Sequence, residues 1–157
     1  MGSWADFFTA ELGAAAALTG LVIVGISINV ARIIADPHLP GRAIETLVTP
    51  TGILIASTYA LVPEQPAWLF GSEIAMVGLV MLLIPDYIQW KARKILPFLI
   101  VVRRALLAQL SSLPIIACGV LIIGHLNGAL YWIVPGIVVS LIATVINAWV
   151  LLVEILR

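Results

Sequence analysis

Of the chain's 157 residues, 62% are apolar and only 10% charged, against roughly 25% charged in a soluble domain of ordinary composition. So much apolar surface on so short a chain cannot be hidden from water, which excludes a soluble enzyme and makes lipid the solvent. Eight basic and eight acidic residues cancel, so no overall field draws nucleic acid, and the lone Cys118 excludes an intramolecular disulfide or a multi-thiolate metal centre.

A crossing helix takes about 20 residues, and the apolar runs predict five of them in an all-α bundle. The first covers residues 7–34. It follows a start that carries Asp6 and Glu11 but no lysine or arginine, unlike a cleavable signal, so this run is expected to be retained. Pro37, Pro40 and Gly41 predict a turn over residues 36–41. The second helix spans residues 42–62 and stops at Pro63 and Pro66; the third spans 69–90, the fourth 105–124 and the fifth 129–156, with a turn at His125–Gly128. Residues 91–104 form a short apolar run bracketed by Lys91, Arg93, Lys94, Arg103 and Arg104. This segment reads as interfacial or as a basic extension of the fourth helix, and anionic head groups are its natural contact.

Five alternating helices place every lysine and arginine on one side: Arg32, Arg42, the five of residues 91–104, and Arg157. The positive-inside rule makes that side cytoplasmic, with the N-terminus outside and the C-terminus inside. Tyr87, Trp90 and Trp149 then fall near the inner interface, and Trp4, Tyr59, Trp68, Tyr131 and Trp132 near the outer one.

Polar groups in the spans are few. Glu45 sits one turn from Thr49 in the second helix, where Pro50 frees the carbonyl of Thr46. The site could bind a cation or line a water path, or Glu45 could snorkel or pair with Arg32 or Arg42. Ser140, Thr144, Asn147 and Glu154 share one face of the fifth helix, suited to a pore lining or to interhelical hydrogen bonds. Ser27 and Asn29 in the first helix need partners too. Glu11 and Glu73 could form an outer mouth of carboxylates, or could simply complement helix N-termini. Gly13, Ala16, Ala17 and Gly20 make overlapping small-residue pairs for close helix packing, within or between subunits. Pro114 and Pro135 predict kinks in the fourth and fifth helices.

No metalloprotease, nucleophile-elbow or phosphate-loop pattern occurs, and His38 and His125 fall on opposite sides. No enzyme, metal or cofactor is therefore expected. The stretch from Gly13 to Val30, followed by Leu39-Pro40-Gly41-Arg42-Ala43, resembles small multi-pass bacterial inner-membrane proteins. Some of these carry the label of modulator of a membrane AAA protease. The resemblance covers the first third of the chain, carries no functional residue, and implies a bacterial cytoplasmic membrane location. Two functions are expected: a homo-oligomeric channel or transporter for an ion or small solute, or an accessory subunit docked on a larger membrane complex.

Overall fold

The computed structural model describes residues 3–37, 39–93 and 97–153. Among these, the chain is helical throughout: α1 (Trp4–Ile28), α2 (Val30–Ala35), α3 (Leu39–Ala60), α4 (Ala67–Ala92), α5 (Phe98–Ile123), a 3-10 turn (Ala129–Trp132) and α6 (Ile133–Val153). Four stretches are long and apolar enough to cross a membrane: Trp4–Ile28, Ala67–Ala92, Phe98–Ile123 and Ala129–Leu151. The α3 helix is not among them, because it carries Arg42, Glu45 and four threonines.

Local chemistry sets the ends. Ser3 and Asp6 cap α1 reciprocally, the Ser3 hydroxyl accepting from the Asp6 N–H and the Asp6 carboxylate from the Ser3 N–H at 2.7 Å. The first predicted helix is not continuous to residue 34. Asn29 breaks it, turning its side-chain amide onto the carbonyl of Gly25 at 3.1 Å and reaching Leu151 O at 3.5 Å. Pro40 and Gly41 do not belong to a turn. They fall in the first turn of α3, where a proline costs no helical hydrogen bond. Pro135 likewise sits in the opening turn of α6, after the 3-10 turn, and does not kink a helix interior. Pro50, Pro85 and Pro114 do lie inside α3, α4 and α5. Helix α5 starts seven residues before the predicted 105, so residues 98–104 are its basic extension. His38, Lys94 and Glu154 lie outside the described residues.

Successive long helices run antiparallel. Trp4 stacks edge-on against Tyr131 at 5.1 Å, joining the start of α1 to the turn before α6. At the opposite end, Asn29 meets Leu151, and α3, α4 and α5 bring Glu45, Gln89 and Arg104 together; Arg42, Lys91, Arg93 and Arg103 lie at the same ends of these helices. Helix α3 packs against α1, α4 and α6, and α6 against α1, α3 and α5, so both are enclosed on several sides. The apolar core draws on every long helix: Phe8 and Ala15, Ile53 and Ala56, Ile74 and Met81, Ile115 and Cys118, Ile133 and Ile137. Outside it, Leu21, Ile28, Leu83, Leu110, Ile142 and other large apolar side chains are exposed, as a lipid-facing belt requires.

The tightest contact joins α4 to α5. A Cβ built on Gly119 would stand 2.5 Å from both Gly71 O and Ala75 N, and one on Gly78 would stand 2.9 Å from Ile116 N. Only hydrogen fits at these positions, and the backbones touch. The predicted small-residue stripe on α1 is not this contact. Gly13, Ala16, Ala17 and Gly20 are exposed, and among the described residues no neighbour comes within 4 Å of where a Cβ of Gly13 or Gly20 would lie. Helix α1 instead turns Phe8, Ala15 and Val22 inward, one heptad apart. Gly119→Leu should therefore lower the stability of the detergent-solubilised protein by about 3 kcal/mol or more through overpacking against backbone. Gly13→Leu should change it by less than about 0.5 kcal/mol, both read from thermal or denaturant unfolding.

Candidate functional site

Four helices converge on a polar crevice at the basic end of the bundle, and each supplies residues one turn apart. Helix α3 brings Glu45 and Thr49, α4 brings Pro85 and Gln89, α5 brings Arg104, Ala108 and Ser111, and α6 brings Ala143 and Asn147. Residues four apart share a helix face, so each pair aims into the same space. Arg104, Ala108 and Ser111 form one face only because α5 begins at Phe98. Arg103, about 100° around the helix, is exposed.

The centre of the crevice is an ion pair between the Arg104 guanidinium and Glu45 Oε2. Glu45 is 7% exposed, and the side chain of Arg104 13%. Arg42 and Gln89 add favourable interactions with the same carboxylate. Two acceptors are left over: among the described residues, neither Glu45 Oε1 nor Gln89 Oε1 has a hydrogen-bond partner. The remaining space, about 30 Å³ for the centre of a water molecule, suffices for one or two waters and not for an organic solute.

The hydroxyls around this space turn their protons back onto their own helices. Thr46 donates to Arg42 O at 2.8 Å, Ser111 to Ala108 O at 2.8 Å, and Thr144 to Ser140 O at 2.8 Å. Their oxygen lone pairs stay available as acceptors. Thr144 and Ser140 are fully buried deeper along α6, so its polar stripe faces protein and not lipid.

Of the residues singled out from the sequence, Glu45, Thr49 and Asn147 meet in the crevice, while Ser140 and Thr144 lie behind it. Arg104, read as a lipid contact, is instead the partner of Glu45, because the early start of α5 turns it inward. The other basic residues keep an interfacial setting. Lys91 Nζ lies 4.5 Å over the Tyr87 ring, Arg93 lies 4.9 Å over Trp90, and Arg103 faces outward. Glu11 and Glu73 sit on α1 and α4, which flank α3 and do not pack side by side; Gln65 donates to Glu73. Gln89 and Ser111 were missed. The i, i+4 spacing of Pro85 and Gln89, and of Ala108 and Ser112 beside Ser111, was the only mark they left in the sequence.

Among the described residues, no group of three histidine, cysteine or acidic side chains could hold a metal ion. No protein-family model, curated protein sequence or solved structure matches the chain.

Removing one member of a buried ion pair strands the other. Arg104→Ala should destabilise the protein by about 3 kcal/mol, and Glu45→Gln combined with Arg104→Gln should recover more than half of that loss. A double-mutant cycle on unfolding free energies checks it, and additive effects would contradict the pairing.

Proposed function

We propose that the chain is a multi-pass membrane protein that moves an ion or small solute, with the crevice at Glu45 as its binding point. The observation that carries this reading is a 7% exposed carboxylate, paired to Arg104 yet keeping one oxygen unsatisfied beside an open polar space. Ionisable groups between membrane helices are costly and tend to be kept for binding or conduction. A helix clamp would need only the paired oxygen.

In this reading α3 is the fifth crossing. Its 22 residues rise about 33 Å, enough to span the hydrocarbon, and its neighbours shield its polar face from lipid. Five crossings put the crevice on the cytoplasmic side and the N-terminus outside, since Arg32, Arg42, Lys91, Arg93, Arg103 and Arg104 all gather at one end. Lys91, Arg93 and Arg103 then contact anionic lipid head groups. The resemblance of the first third of the chain to bacterial inner-membrane proteins supports placing it in that membrane. The exposed stripe of Gly13, Ala16, Ala17 and Gly20 supplies a surface for self-association.

That same stripe favours a second reading, in which α1 docks the chain on a larger membrane complex as an accessory subunit. Purified protein reconstituted into liposomes should pass monovalent ions, and Asn147→Leu, which fills the crevice wall with an apolar group, should cut the flux at least fivefold. A folded protein without flux that co-purifies in fixed ratio with a membrane complex would overturn transport in favour of docking. Topology is tested in a Cys118→Ser background: Arg93→Cys should react with an impermeant thiol reagent only from the inside, and outside labelling would reverse the orientation.

A further inference from the structure

We infer that the species carried is the proton, taken up on Glu45 and passed toward Ser140 where α6 packs on α3. This inference rests on the transport reading above and names its ion and its route.

The crevice is too small for an organic solute, with about 30 Å³ open to a water centre. The Glu45 carboxylate already has its counter-charge in Arg104, so there is no net negative charge to hold a desolvated metal cation. A proton needs only one lone pair, and Glu45 Oε1 offers it, 93% of the residue being buried and no partner taking that oxygen among the described residues. Gln89 Oε1, equally unpartnered, can hold the water that delivers it. The groups acting on this carboxylate are Arg104 from α5, Arg42 from α3 and the uncharged Gln89 from α4. Helix α6 adds the uncharged Asn147, and the inner half of α1 carries no ionisable residue.

Beyond the crevice α6 holds a further unpartnered hydroxyl. Ser140 lies two turns past Asn147 on the same face of α6. It is 0% exposed, and its hydroxyl has no hydrogen-bond partner among the described residues. Leaving a buried hydroxyl orphaned is costly, so its place above the crevice needs a reason beyond packing. A hydroxyl both donates and accepts, and can therefore pass a proton on where it could not dehydrate sodium. Ile53 and Ile137, buried in the apolar core past the level of Ser140, form the barrier that a carried proton crosses next.

The uptake step is a simple proton transfer. A hydronium in the crevice gives its proton to Glu45 Oε1, water is left behind, and a new O–H bond forms on the carboxyl. Arg104 stays protonated, loses its ionic partner, and can extend toward the head groups from its place in the second turn of α5.

The test uses full-length protein in liposomes that contain a pH-sensitive dye, driven by a potassium diffusion potential. The wild type should acidify the lumen. Glu45→Gln, and the charge-neutral Glu45→Gln/Arg104→Gln variant that keeps the helices paired, should each reduce the rate at least tenfold. Ser140→Ala should slow it severalfold, whereas the exposed control Ser27→Ala should leave it unchanged. Sodium movement without proton movement would overturn the proton inference while preserving the transport reading. Proton flux indifferent to Glu45 or Ser140 would overturn the route. No flux of either ion from folded protein would remove the transport reading itself.

Discussion

A carboxylate held between helices two turns below a bundle's rim requires an opposite charge from another helix, because lipid offers it neither water nor a counter-ion. The pairing of Glu45 with Arg104 meets that requirement, and much of the architecture follows from it. Helix α5 must begin early enough to carry Arg104 on its inward face. Helices α3 and α5 must present their starts at the same end, and α4 and α6 must close around the pair with residues that tolerate charge. Gln89 and Asn147 supply that tolerance, where leucine would leave the carboxylate buried against hydrocarbon. The least apolar of the long helices, α3, is accordingly flanked by α1, α4 and α6.

The crevice also explains how polar and apolar surfaces are divided along α3 and α6. Both helices carry polar groups on their inward faces near the basic end; toward the opposite end Ile53, Ala56, Ile133 and Ile137 meet the core, with Ser57 the buried polar exception on α3. The polar stripe of α6 thus faces protein and gives way, toward the other end, to branched apolar side chains.

The sequence was most legible where periodicity and composition act locally. The long helices, their approximate ends and the sorting of basic residues to one end all follow from runs of apolar side chains and where charge interrupts them. The coming together of Glu45, Thr49 and Asn147 was foreseeable as polar groups needing shelter. What escaped depends on side chains competing with, or reaching across, the backbone. Asn29 ends α1 by bonding Gly25 O, an outcome that its residue type permits but does not dictate. Pro40 looked like a breaker because a proline is harmless only in a helix's first turn, and that start was itself unknown. The partner of Glu45 was hidden for the same reason: a helix begun at 105 leaves Arg104 outside it. The stripe at Gly13 drew attention through its length, yet Gly71, with Ala67 and Ala75 a turn to either side, and Gly119, after Ala117 and Cys118, make the close contact between helices.

That glycine contact also bears on how the molecule is put together. Helices α4 and α5 are consecutive, so each new chain can close them into a hairpin as soon as both have entered the bilayer, without waiting for α6. Backbone meeting backbone gives this hairpin few alternative registers. The seam between α3 and α6, by contrast, joins parts of the chain separated by the whole hairpin and can form only when synthesis is nearly complete. The two contacts thus differ in kind: the α4–α5 contact joins neighbours in the chain, while the α3–α6 contact joins segments separated by both of them.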